Sequence, residues 1–216
     1  MEPDLKFTVG LEVHVRLATG HKLFCPCRYA FDAEPNALVC PVCLGLPGSL
    51  PVLDQSAVDL ALRVGAALEC TVQPVSEFAR KNYFYPDLPR NFQITQFEHP
   101  LLVGGHLALP GGGDVPLARI HLEEDAGRSL LAADHADPAG PAWHVDFNRA
   151  GTPLMEIVTE PVLRNGQEAR VWLGHLRRIL LYLEASDGHL EEGSLRCDAN
   201  VGLAQEGPLV EIKNLN

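Results

Sequence analysis

The stretch LRCDANV, residues 195–201, decides how the rest of the chain is read. Leu195, Cys197, Ala199 and Val201 alternate with Arg196, Asp198 and Asn200, the period of a half-buried β-strand. Asp and Asn disfavour strands because their side chains compete for backbone hydrogen bonds. A strand face that carries both beside an Arg is either a solvated outer face or a site. The pattern recurs. Residues 10–15 (GLEVHV) set Leu11, Val13 and Val15 against Glu12 and His14. Residues 119–124 (RIHLEE) put Arg119, His121 and Glu123 on one side and run into three adjacent acids, Glu123, Glu124 and Asp125. Residues 209–213 (LVEIK) offer Glu211 and Lys213 beside Val210 and Ile212. Several strands, each with one apolar and one acid-rich side, predict a single sheet whose second face is a site.

Composition narrows the class of site. A chain of 216 residues, 46% hydrophobic, can bury a sizeable core as one large domain or two small ones. Its formal charge of −11, from 17 basic and 28 acidic side chains, opposes a surface that coats nucleic acid and suits carboxylates gathered around cations. The charged start, Met1-Glu2-Pro3-Asp4, lacks the pattern of a signal peptide, and no apolar run is long enough to span a membrane. The end at Asn216 falls in the middle of a strand pattern, so a fragment of a longer chain is expected. Four of the six cysteines cluster, which predicts a reducing cytoplasm and a metal site rather than a disulfide lattice.

That cluster is Cys25-Pro26-Cys27 followed by Cys40-Pro41-Val42-Cys43. Two tight pairs joined by a short loop suit tetrahedral Zn²⁺, with reduced buried thiols or incidental disulfides as the alternatives. Four thiolates would fill the shell, so the metal of this loop, residues 24–44, would be a staple and not a catalyst.

Asp54 can cap a helix over residues 55–68 with Ala57, Leu60, Ala61, Val64 and Leu68 on one face; Cys70 then reads as a small buried hydrophobe. Asn165 with Glu168 can open a second helix running to about 184. Further strands are expected over 7–17, 143–147 and 154–160, the last with Glu156 and Glu160 on one face. Loops or turns are expected at 45–51, 136–141 and 151–153, and Gly111–Asp114 reads as a hairpin turn. There is no Walker loop and no dinucleotide fingerprint, so any nucleotide must be held through metal and side chains. Residues 80–96 pack Tyr83, Phe84, Tyr85 and Phe92 around Lys81 and Arg90, either an aromatic corner of the core or a pocket wall aiming Lys81 at an anion. The whole predicts an α+β fold with a mainly antiparallel sheet, flanking helices and a small zinc-binding insert.

A sheet face holding Glu12, His14, Glu123, Glu124, Asp125, Asp198 and Glu211 could bind Mg²⁺, while Arg196, Lys213 and Lys81 could neutralise phosphate. On the residues alone, this is a metal- and phosphate-dependent enzyme or a metal-binding structural sheet.

The motifs GLEVHV, CPC with CPVC, CLGLPGSLPVLD, RKNYFYPDLPRNFQITQ, HLEEDAG, DFNRAGTPLMEIVTEP and GSLRCDANV with EIKNLN together resemble the GatB family of the bacterial glutamyl/aspartyl-tRNA amidotransferases, from residue 7 to the end. The resemblance implies a glutamine synthetase-like fold, of which residues 1–216 would be the N-terminal part of the catalytic, cradle-like domain. The helical and tail domains that follow in this family, and help hold tRNA, would lie beyond residue 216. It implies a reaction in which ATP phosphorylates the side-chain carboxylate of Glu or Asp mischarged on tRNA(Gln) or tRNA(Asn), and ammonia then displaces phosphate. The ammonia would come from glutamine hydrolysed by an amidase partner, with a small third component to brace the heterotrimer.

Carried over by motif, Glu12, His14, Glu124 and Glu211 would ligate Mg²⁺. Glu123, Asp125 and Asp198 would stand near it or guide and deprotonate ammonia, and Lys81, Arg196 and Lys213 would face phosphate. Cys25, Cys27, Cys40 and Cys43 would hold structural Zn²⁺. The chain departs from the pattern with Asp32 where Gly is expected after Phe31, which alters the turn of the zinc loop, and with Arg128 in place of Lys. Two rival readings remain: a zinc-stapled, non-catalytic scaffold that docks an amidase, and a ligase acting on a free amino acid.

Overall fold

A computed structural model describes residues 6–132, 142–203 and 208–215. In chain order the elements begin with β1 (Phe7–Arg16), α1 (Gln55–Ala67), β2 (Thr71–Val72), β3 (Ala79–Asn82) and β4 (Phe92–Thr95). Next come β5 (Leu102–Val103), β6 (His106–Ala108), β7 (Asp114–Glu124), β8 (Arg128–Ala132) and β9 (Ala142–Asp146). The last are β10 (Pro153–Thr159), α2 (Gly166–Tyr182), β11 (Leu195–Leu203) and β12 (Val210–Leu215).

The main sheet runs β12-β11-β1-β10-β7-β5-β2, with β6 also on β7, and every described pairing is antiparallel. β1 lies inside it, with Val13 opposite Ile157 of β10 on one side and Cys197 of β11 on the other. The alternation read from the sequence gives the sheet its core face: Leu11, Val13, Val15, Ile120, Leu122, Met155, Ile157, Leu195 and Cys197 are buried there. Each such Leu, Ile or Val contributes about 1.5–3 kcal/mol by leaving water.

The two helices belong to the same core through Ala57, Ala61 and Val64 of α1 and Trp172, Leu176 and Leu180 of α2. Both are capped as expected. Asp54 accepts from the Ser56 backbone N–H at 2.9 Å, and Asn165 Oδ1 accepts from Glu168 N–H at 2.9 Å. Glu168 does not reach back to the cap residue itself; its carboxylate accepts from Arg164 N–H at 2.9 Å, one residue earlier. α1 approaches the sheet closely because Gly65 has no side chain: a Cβ there would sit 2.6 Å from a Leu102 methyl. The buried Trp172 indole donates to Leu107 O at 3.2 Å, which ties α2 to β6.

The strand expected at 143–147 is present as β9, which pairs with β8 in a two-stranded sheet apart from the main one. Of the two acids expected together over 154–160, Glu156 is buried within β10, whereas Glu160 lies just past the end of the strand and is exposed. Between Val158 and Thr159 the pairing with β7 shifts register, with Ala118 as the extra residue. The loop expected at 136–141 lies outside the described residues. Gly111–Gly113 make the hairpin turn between β6 and β7. The turn before β10 needs Gly151, whose φ of +84° is a conformation that L side chains rarely adopt.

Candidate functional site

The pairing registers build the site on the face turned away from the helices. His14 lies opposite Glu156 of β10 and Arg196 of β11, and Glu156 lies opposite His121 of β7. The strands therefore deliver a row, His121–Glu156–His14–Arg196, across four strands. Glu12 and Asp198 face each other in the adjoining row.

Glu123 completes the first group. His14 Nε2 stands 3.6 Å from Glu123 Oε1 and 3.6 Å from Glu156 Oε2. His121 Nε2 stands 3.0 Å from Glu156 Oε2 and 3.9 Å from Glu123 Oε2, which also accepts from Thr95 Oγ1 at 3.1 Å. Burial pushes the Glu123 carboxyl upward, and the charge of Glu156 adds to that push against His14, His121 and Lys81. Burial acts on Glu156 in the same sense but is outweighed there. A hydrogen bond and the charge of His121, with His14 and Arg119, hold its carboxyl down to about 2. One atom each from His14, Glu123 and Glu156 lie within 4.8 Å of one another. Two buried carboxylates and an imidazole fit a divalent cation, and the carboxylate pair supplies the oxygen ligands that Mg²⁺ prefers.

A second group lies toward the β12 edge. Asn200 Nδ2 donates to Glu12 Oε1 at 2.9 Å, and Asn200 is opposite Glu211. Lys213 Nζ meets Glu211 Oε1 at 2.9 Å. The pKa of Lys213 is raised, first by that hydrogen bond and then by the charges of Glu211, Asp198 and Glu12. Glu12, Asp198, Glu211 and Lys213 are thus brought together.

The triple acid is split three ways. Glu123 joins His14, whereas Asp125 accepts from Arg196 at 3.1 Å and lies 3.6 Å from Arg149. Glu124 pairs with Arg90, and its backbone carbonyl accepts from Gln93 at 2.7 Å. Glu124 shares strand parity with the core residues Ile120 and Leu122, so it is not placed with His14 on the acid face as the sequence reading had it. Arg196 is engaged by Asp125, and Lys81 is exposed on β3, where its charge still reaches Glu123. The sequence reading left Glu156 and His121 out of the site. Glu156 had a legible signal as the one acid in an otherwise uncharged strand, PLMEIVT.

The four clustered cysteines converge, all unpaired by disulfides, with a sulfur from each within 4.8 Å of the others. Cys43 Sγ and Cys40 Sγ are 3.9 Å apart. A tetrahedral Zn²⁺ with bonds near 2.3 Å places its sulfurs about 3.8 Å apart, so the cage has the right size. A hydrogen bond from Cys25 holds the Cys43 thiol down to about 4 against burial, whereas burial first raises Cys27 to about 11. The set fits zinc.

Comparison with known proteins agrees with the motifs. The profile of the GatB/GatE catalytic domain matches residues 7–216. The chain is 52% identical over 216 residues to the GatB component of the aspartyl/glutamyl-tRNA(Asn/Gln) amidotransferase of Thermodesulfovibrio yellowstonii, covering 96% of this chain and 44% of that one. It is 50% identical over 221 residues to the corresponding protein of Myxococcus xanthus, covering 99% and 45%. To that of Oleidesulfovibrio alaskensis it is 50% identical over 222 residues, again covering 99% and 45%. The chain therefore spans a little under half the length of these relatives. Among the described residues, no helix is long and apolar enough to cross a membrane.

Proposed function

The chain belongs to the GatB/GatE catalytic-domain family, and from that premise we propose that it carries the carboxylate-activating site of a tRNA-dependent amidotransferase. The side-chain carboxylate of Glu or Asp, mischarged on tRNA(Gln) or tRNA(Asn), attacks the γ-phosphorus of ATP and releases ADP. Ammonia then adds to the acyl carbon, phosphate leaves, and a proton passes from nitrogen to a base. An amidase partner supplies the ammonia from glutamine, a small third component braces the complex, and the assembly works in the cytoplasm. The antiparallel sheet with one open acidic face is the architecture that a glutamine synthetase-like fold would use for this chemistry.

The observation that carries the reading is the convergence of His14, Glu123 and Glu156 beside the Glu12–Asp198–Glu211–Lys213 group. Mg²⁺ bound there would supply charge to offset that of ATP. The chain's own residues do the rest. Lys213 and Lys81 offer ammonium groups for phosphate oxygens, and Arg196 holds Asp125 at the end of the row. Glu123, raised by burial, and Asp198 are the candidate bases for ammonia. Glu124 is set apart from these roles and supports the site through Arg90. The Cys25–Cys27–Cys40–Cys43 cage holds Zn²⁺ as a staple.

The test is ATP-dependent amidation of glutamyl-tRNA(Gln) and aspartyl-tRNA(Asn) by the full-length protein with its partners. Amidation that needs ATP, Mg²⁺ and charged tRNA supports the reading. Amidation of free glutamate or aspartate would replace it with the free-amino-acid ligase. Normal amidation by variants of the acid face would leave a scaffold role.

A further inference from the structure

A lysine is an uncommon residue to find wholly out of water, yet Lys22 is fully buried. A buried ammonium costs several kcal/mol unless anions and hydrogen bonds offset it. All three of its N–H groups have acceptors: Leu38 O at 2.9 Å, Phe147 O at 3.4 Å and Cys43 Sγ at 3.5 Å. Two are carbonyls and carry no net charge. The anion is the sulfur. Glu124 also lies near, since its Oε1 and Lys22 Cδ both converge on Gly151, but that carboxylate is already paired with Arg90.

The backbone of Lys22 belongs to the other half of the cage. Its N–H donates to Cys27 O at 2.8 Å, and it bridges to Cys25. The residue therefore closes the turn that presents Cys25 and Cys27, while its side chain crosses to Cys43 in the second pair. Phe147 O, on the segment leading into β10, anchors the same ammonium to the body of the domain.

We propose that Lys22 is the outer-sphere cation of the cysteine cage, a positioning residue that offsets the charge of the loaded site and locks its two halves together. This rests on the zinc reading above. Four thiolates around Zn²⁺ carry a net charge of −2, and a single ammonium seated against Cys43 Sγ lowers the free energy of that dianion in a dry setting. The backbone N–H of Cys40, 3.1 Å from Cys43 Sγ, acts in the same sense on the same sulfur.

The test uses the full-length protein loaded with Co²⁺ or Zn²⁺, as wild type, Lys22→Met and Lys22→Gln. Gln keeps hydrogen-bonding capacity for the carbonyl oxygens but removes the charge, so it guards against simple loss of fold. Loss of the cation raises the energy of the sulfur donor orbitals. The thiolate-to-cobalt charge-transfer band is therefore expected to move to lower energy in both variants, and Zn²⁺ to pass to a chromogenic chelator about 10-fold faster or more. A residue that only fills space would not shift the band. An unmoved band with release within twofold of wild type overturns the role of Lys22 while leaving the zinc site standing. Failure of wild type to load one metal, or equal loading by Cys40→Ser with Cys43→Ser, overturns the zinc reading itself. Variants that fail to fold while metal-free wild type stays folded also overturn the proposal, because the lysine would then hold the chain without the metal.

Discussion

Glu123 and Glu124 are consecutive in β7, yet their carboxylates leave opposite faces of the sheet. Glu123 Oε1 lies 3.6 Å from His14 Nε2, while Glu124 pairs with Arg90. The pleat requires this separation, since neighbouring strand residues point to opposite sides. Asp125, just past the strand, finds Arg196 and Arg149. Three like charges in a row thus avoid one another by taking three separate partners. One acid serves the open face, one faces the cysteine cage, and one closes the end of the row.

The Glu124–Arg90 pair is largely out of water, with 4% and 13% of the two side chains exposed. Burial already pushes the Glu124 carboxyl upward against the opposing pull of Arg90. Arg90→Met should therefore leave an uncompensated buried acid and cost about 3–5 kcal/mol in urea unfolding of the full-length protein. Glu124→Gln added to Arg90→Met should recover part of that loss, because the amide needs no counter-charge. Equal stability of wild type and Arg90→Met would show that the pair is not coupled.

His14, Glu123 and Glu156 should act as one unit in catalysis. In the assembled enzyme, His14→Ala or Glu156→Gln should lower ATP-dependent amidation by about 100-fold or more, the scale on which a held charge stabilises a transition state. Glutamine hydrolysis by the partner should persist. Glu160→Gln, outside the row, should leave amidation unchanged. Parallel measurement of amide formation and free glutamate release separates these outcomes, and normal amidation by His14→Ala would remove the imidazole from the site.

Gly65 shows why a helix can prefer its weakest helix former. Ala in its place would gain about 1 kcal/mol of helix propensity. Its Cβ, however, would fall 2.6 and 2.7 Å from the two methyls of Leu102, which is fully buried, so the leucine would have to shift within the packed core. Overpacking of this kind costs about 1–3 kcal/mol. Gly65→Ala should be destabilising by denaturant midpoint, and pairing it with Leu102→Ala should turn the Gly65→Ala step neutral or favourable.

Much of this was legible in the chain. The period of two in LRCDANV and GLEVHV gave the strands and their core faces. Asp54 and Asn165 marked both helix starts, and the cysteine spacing identified the cage. Partners across the sheet were not legible. That His14 meets Glu156 follows from register, and no local pattern states how far one strand is slid along another. The splitting of EED was half legible. The pleat alone sets Glu123 and Glu124 on opposite faces, a point lost when three acids are read as one cluster, whereas the partners Arg90, Arg149 and Arg196 come from distant segments that no local pattern places. The buried role of Lys22 was hidden for a different reason: lysine is expected at the surface, and only the folded cage shows the sulfur it serves.

Asp146 joins the cysteine loop to the β8–β9 hairpin and should give the domain an acid-sensitive contact. It is buried, its Oδ1 accepts from Asn148 N–H at 2.9 Å and Asn36 N–H at 3.1 Å, and Oδ2 accepts from Arg128 at 3.0 Å. Burial alone would raise its carboxyl, but these donors outweigh it and hold the group below the ordinary carboxylate range. A depressed folded-state pKa means that the unfolded chain takes up the proton first as pH falls. The stability from this charge is fully present above about pH 4, the ordinary Asp value, and is lost as pH drops through the folded-state value. Asp146→Asn keeps an oxygen for the two backbone donors and turns an amide toward Arg128. It should cost about 1.5–3 kcal/mol at pH 7, the worth of hydrogen bonds to a charged group, and the difference from wild type should shrink as pH falls below about 4. Urea unfolding from pH 7 to pH 3 reads both slopes. A difference that stays constant over that range would mean that the contact holds through shape alone.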